Sequence, residues 1–344
     1  EITSGVRYAL RPTGVPTVKY GDQVLSTTEA NLPNRYFYGS IELTVEAPEG
    51  YEVWYNNNQA PYETSGGING IRVEGGKVTL DYGGEFHFKL AKVVTVDGRE
   101  YRSLSHSVTK VKLTKLTDLP APNVTVKTKE GGQTLNPDGN TYTMTENVVT
   151  VTLESTMYWP LNATIAYDTN GNATPRLSTN YTKPFEVRGA GTISVFTLVP
   201  KADGEYEFKR TEYTFKLAEN LQTVQIAPNH SSCTVYYMKE DGTEAKIPTS
   251  AYSQALKVGT RVRVVPNTPS GQVFKKWEIS NYDEYNIWGA YGGNELYNPE
   301  LIFHVPKPNY SSPTQTKTLG ITAAFGTGTE ANISGETLVG LDMS

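Results

Sequence analysis

The feature that most constrains this chain is alternation. Ile41, Leu43 and Val45 are interleaved with Glu42, Thr44 and Glu46, and Val149, Val151 and Leu153 with Thr150 and Thr152. Later, Tyr213, Phe215 and Leu217 alternate with Glu212, Thr214 and Lys216. A period of two puts successive side chains on opposite faces of a strand. No segment carries a sustained apolar stripe at period 3.6, which excludes long helices. The 23 Tyr, 31 Gly and 20 Pro point the same way. Tyrosine favours half-buried pleated surfaces, while glycine and proline punctuate turns. The chain is therefore expected to be all-β.

At 344 residues it is long enough for two or three domains, each with its own core. The first residues hold one short strand candidate, Val6 to Leu10, then Arg11-Pro12-Thr13-Gly14. Residues 1–15 read as a linker or the end of a preceding domain. Two further segments look like divergent copies of one unit. Trp54-Tyr55-Asn56-Asn57-Asn58 in the first occupies the place of Ala166-Tyr167-Asp168-Thr169-Asn170 in the second. Asp97-Gly98 and Asp203-Gly204 each mark a late hairpin turn. The spacing suits one β-sandwich per copy. Prolines at 120 and 122 mark a stiff, short link between the copies, and the pattern changes again at 218–223. The expected domains are 16–117, 118–220 and 221–326, followed by a polar, Gly-rich tail at 327–344.

The second copy carries the most specific pattern. Ala163-Thr164-Ile165-Ala166-Tyr167 precedes Asp168-Thr169-Asn170-Gly171, with Asn170-Gly171 expected to form a tight turn with both residues at positive φ. Tyr181-Thr182-Lys183-Pro184 and Gly191-Thr192-Ile193-Ser194-Val195 follow. This series resembles the Ig-like module at the C-terminus of chitobiases and hexosaminidases, with Asn-Gly in place of the family's Asp-Gly. The first copy lacks the Tyr-x-x-Pro arm. The third segment is similar to the divergent internalin-type B repeat through Gly259-Thr260-Arg261-Val262-Arg263-Val264, Phe274-Lys275-Lys276-Trp277, Asn298-Pro299 and Ile321-Thr322-Ala323-Ala324-Phe325. Both resemblances imply fold: two Ig-like or fibronectin-like β-sandwiches followed by a small B-repeat-like β domain. In the B-repeat family the Phe-x-x-Trp aromatics are core residues, so Trp277 is expected to be buried.

Several function classes find no support. The formal net charge of −5 offers no basic footprint for nucleic acid. Lys110, Lys112 and Lys115 read as the wet face of a strand, with Val111 and Leu113 inward and the lysines guarding a sheet edge. The single cysteine, Cys233, cannot form an internal disulfide and reads as a small buried hydrophobe. The histidines at 87, 106, 230 and 304 are dispersed; none has zinc-ligand spacing, and His87 and His304 read as solvent-facing. No nucleophile elbow or phosphate loop occurs. Each Asp-Gly pair (Asp97, Asp138, Asp203, Asp241) lacks the alternating carboxylates of a calcium loop and fits a turn. No catalytic, cofactor or metal residues are assigned, and an enzyme is not expected. The longest apolar runs, such as Ile193 to Val199, are strand-sized, so no membrane insertion is expected in this segment.

The module types imply a secreted or cell-surface protein of a Bacteroides-type bacterium, attached at the outer membrane. It would act as a monomeric adhesion or ligand-presenting stalk, with a glycan or an extracellular protein as partner. The alternative is the accessory region of a polysaccharide-degrading enzyme whose catalytic domain lies elsewhere. One segment of the third domain stands apart: Tyr282, Tyr285, Trp288, Tyr291 and Tyr297 are set among Asn, Asp, Glu and Gly. Tyrosine and tryptophan offer broad apolar faces with a polar handle. Either these rings fold back over the end of the third domain, or some stay exposed and contact a ligand.

Overall fold

A computed structural model describes residues 11–280, 295–306 and 318–327. Their regular structure is strand throughout, apart from short 3-10 turns at Pro175–Leu177, Glu219–Leu221 and Glu295–Tyr297. The fold is all-β, with three β domains in tandem. In the first, one sheet runs in the order Gln23–Val24, Thr17–Tyr20, Ile41–Glu46, Lys77–Leu80. The facing sheet runs Asn34–Tyr38, Thr109–Leu116, Gly84–Val96, Tyr51–Asn57, Ile71–Arg72, with Arg99–Leu104 hairpinned onto Gly84–Val96.

The second sandwich repeats this order. Thr134–Leu135, Asn123–Thr128, Val148–Glu154 and Phe185–Arg188 face Thr141–Met144, Tyr206–Leu217, Gly191–Pro200, Thr164–Asp168 and Thr179–Asn180. The third domain opposes two four-stranded sheets. Gln254–Lys257, Thr223–Pro228, Thr318–Thr327 and Gln272–Ile279 lie against Glu244–Lys246, Cys233–Met238, Arg261–Pro266 and Leu301–His304. In every domain an early strand lies parallel to the last one: Asn34–Tyr38 to Thr109–Leu116, Thr141–Met144 to Tyr206–Leu217, Thr223–Pro228 to Thr318–Thr327. Parallel neighbours require the intervening chain to cross over, which wraps the two sheets around one core.

The alternating positions supply those cores. Ile41, Leu43 and Val45 meet Phe86, Phe88, Leu90, Val111 and Leu113 in the first. Val149, Val151 and Leu153 meet Ile193, Val195 and Phe215 in the second. Val224, Ile226, Ile321 and Trp277 meet Val235, Val262 and Val264 in the third. Each fully buried side chain of this size contributes about 1.5–3 kcal/mol. Trp277 is 1% exposed, with its ring 5.0 Å from Phe274.

Three local expectations need correction. Strand Thr109–Leu116 lies beside Gly84–Val96, and its other side is taken by Asn34–Tyr38 from Lys112 onward and by a bridge from Thr27 to Lys110, so Lys110 and Lys112 guard no edge. Lys110 instead sits 3.4 Å from Glu85. His87 does not face open solvent. Its side chain is 12% exposed and its Nε2 lies 2.9 Å from Glu85, while burial lowers its pKa. Asn170-Gly171 is not a two-residue hairpin turn, because strand Thr164–Asp168 next pairs with Thr179–Asn180 and only Gly171 of the two has positive φ. The Asp168 carboxylate takes the N–H of Asn170 at 2.6 Å and the side chain of Asn172 at 2.7 Å. It thereby fixes a longer loop, which Arg210 clasps through the carbonyls of Gly171 and Asn172. By contrast, Asp97-Gly98 has positive φ at both residues, 52° and 76°, as a two-residue hairpin turn requires.

Candidate functional site

The aromatic segment enters the described residues at its C-terminal end. Tyr282, Tyr285, Trp288 and Tyr291 lie outside them; Tyr297 lies within. There the turn Glu295–Tyr297 splits its side chains between core and solvent. Leu296 packs against the core of the third domain, whereas Tyr297 is 63% exposed. The anchor is Trp277, whose indole N–H donates to the Asn298 carbonyl at 2.7 Å. A buried indole N–H without a partner is costly, so this bond holds the end of the segment to the sheet below.

Beside this anchor, Arg263 forms the polar centre of an outer sheet face. Its guanidinium bonds Glu244 and reaches Glu300 at 3.3 Å. It also lies over the Tyr236 ring, 4.4 Å from the centroid. The bonds to Glu244 and Glu300 raise the Arg263 pKa, and that to Arg263 lowers the Glu244 carboxyl pKa. Sequence reading did not single out this group. Its only signal was alternation, which puts Tyr236 and Arg263 on the polar face of their strands.

A cleft of ≈ 460 Å³ opens between the strand edges of the same domain. Tyr237, Met238, Ala255 and Leu256 line it, and Lys257 and Glu240 pair at 2.8 Å beside it. Cys233 is 1% exposed, burial raises its pKa, and its thiol donates to the Ile321 carbonyl at 3.3 Å. It is a packed core side chain. Among the described residues no group of three or more His, Cys, Asp and Glu side chains converges to hold a metal ion. Among them also, no helix is long and apolar enough to cross a membrane.

No protein-family model matches the chain, and no curated protein sequence does. Among solved structures, it is similar to a Ca2+-stabilized adhesin that helps an Antarctic bacterium reach out and bind ice. That likeness has 12% identity over 76% of this chain and 71% of the other, at a TM-score of 0.21. The fibronectin(III)-like modules of Clostridium thermocellum CbhA share 14% identity over 56% of this chain and 95% of theirs, at a TM-score of 0.22. Immunoglobulin domains 1–4 of Sidekick-1 share 10% identity over 90% and 73%, at 0.19. At this level these likenesses assign no activity and no ligand to the chain.

Proposed function

We propose that this chain is a non-catalytic part of a secreted or surface-attached protein, a stalk of β domains that presents a contact surface. The proposed domain limits are 16–117, 118–220 and 221–326. The first two are taken as modules of the chitobiase/hexosaminidase C-terminal type and the third as one of the internalin B-repeat type. The contact surface is the aromatic segment: Tyr282, Tyr285, Trp288, Tyr291 and Tyr297 take a glycan or an extracellular protein. The observation that carries this reading is the division at Glu295–Tyr297. The backbone there is tethered through Trp277 and Leu296, yet the Tyr297 ring is 63% exposed. A tethered aromatic ring binds with little loss of its own freedom, which favours contact.

The full chain, with and without Tyr285→Ala, Trp288→Ala and Tyr297→Ala combined, is to be screened on glycan and extracellular-protein arrays. Loss of a parent signal with an unchanged thermal midpoint supports the reading. Unchanged binding, or collapse of the midpoint, assigns the rings to packing. The purified chain is expected to run as a monomer in sedimentation and to show no glycosidase, esterase or peptidase turnover.

A further inference from the structure

The strand Asn34–Tyr38 pairs on one side with Thr109–Leu116. Neighbouring residues of a strand point their backbone polar groups to opposite sides, which leaves Tyr36 and Tyr38 facing the open edge. Such an edge is ordinarily blunted by charges, prolines or short length. Here the second sandwich covers it. The Leu161 N–H donates to the Tyr36 carbonyl at 2.7 Å, and Tyr36 and Pro160 form a parallel bridge. The Asn162 side chain then treats Tyr38 as a strand partner would. Its Oδ1 accepts the Tyr38 N–H at 3.2 Å, and its Nδ2 donates to the carbonyls of Tyr38 at 2.7 Å and Ser40 at 3.2 Å. Asn162 is only 8% exposed, and its amide is bonded at both ends.

Apolar and peripheral contacts follow the same seam. Leu161, half-buried, packs against the first sandwich's core, and the Tyr158 ring meets Tyr36 edge-on at 5.0 Å. The Tyr38 hydroxyl donates to Glu207 at 2.7 Å, and Lys209 pairs with Asp118 at 2.7 Å. Thr197 donates to the Pro120 carbonyl within the link. A flexible link between two beads leaves both bead surfaces wet. This one buries an amide and closes a strand edge.

We infer that the first two sandwiches move as one rigid body, with loop 155–163 of the second capping the open edge of Asn34–Tyr38 and Asn162 locking the angle between them. The inference does not depend on the ligand-presenting role, and its test reads no ligand. Full chains carrying Thr44→Cys and Thr182→Cys in a Cys233→Ala background, spin-labelled at the two new thiols, report the distance distribution between the sandwiches. The parent is expected to show one narrow peak, broadened about twofold or more by Asn162→Ala. Asn162→Asp keeps the shape but turns a donor into an acceptor facing two carbonyls, and is expected to broaden the peak similarly. Hydrogen exchange at the amides of Tyr38 and Leu161 gives an independent reading: slow in the parent, and faster in either variant. A broad parent distribution overturns the inference whatever the variants do. So does an unchanged width and unchanged exchange in a folded Asn162→Asp chain.

Discussion

The first two sandwiches are built to one plan and finished differently. Tyr55 lies opposite Phe88 in the first and Tyr167 opposite Val195 in the second, so an aromatic ring faces an apolar side chain at the same inner place in each. The outer faces of the same strands do not match. Opposite Trp54 the first sandwich places Lys89; at the matching pair the second has Ala166 and Phe196. In the first, Glu52 gathers Arg102 at 2.8 Å, Arg72 at 3.3 Å and the Trp54 indole at 2.9 Å. In the second, Ala166, Phe196 and Leu198 form a separate buried cluster, with Phe208 edge-on to Phe196 at 5.8 Å. Inner faces must fill one kind of space, which restricts them to apolar side chains of set volume. Outer faces are free to be held by charge or by apolar cover, and there the copies acquire individual properties.

The sharpest way to break this comparison is through the cores. Phe88→Ala and Phe215→Ala, both fully buried positions, are each expected to cost about 3–5 kcal/mol in denaturant unfolding. A much smaller loss in one copy would mean that the inner faces are not equivalent. Next come the outer faces. Phe196→Ala is expected to cost about 3 kcal/mol by emptying a closed cluster, whereas Lys89→Ala should cost less than about 1 kcal/mol. Equal effects would erase the distinction.

Glu52→Gln tests the charged face itself, with an expected loss of about 1–3 kcal/mol as Arg102 and Arg72 lose their anion. Burial raises the Glu52 carboxyl pKa, but hydrogen bonds from Arg102 and Trp54, with the charges of Arg102 and Arg72, outweigh it and leave the pKa lowered. The folded carboxyl therefore holds its proton less tightly than the unfolded one. Its contribution is complete above the ordinary value of 4.5 and is lost as the pH falls through the lowered one. Urea midpoints against pH should fall less steeply in Glu52→Gln than in the parent. Asp168, likewise lowered by its bonds to Asn172 and Asn170 against the opposing effect of burial, should still contribute in that variant. The smallest effect belongs to Tyr297→Ala, whose ring is mostly in solvent. Its thermal midpoint should match the parent, with a stability change within about 0.5 kcal/mol.

The sequence by itself determined the class of fold, its inward-facing residues and several turns. Alternation at Ile41–Glu46 and Tyr213–Leu217 is a local property, set by the pleat and readable without partners. Asp97-Gly98 is equally local, because positive φ at both residues suits short or side-chain-free residues. Tertiary structure decided what depends on neighbours distant in the chain. Whether Lys110 sits on an edge depends on what lies beside it, and Thr27, which bridges it, comes from the opposite end of its domain. Asn170-Gly171 had turn chemistry, yet the loop is longer: Asp168 shapes its start through a local bond to the Asn170 N–H, and Arg210, far along the chain, holds it through the Gly171 carbonyl. Nothing about Leu161-Asn162 distinguishes it as text. Its role appears only when Tyr36 and Tyr38, more than a hundred positions earlier, present an edge for its amide to close. Period and propensity act between nearest neighbours, whereas strand order and interdomain contacts arise from which surfaces meet after collapse.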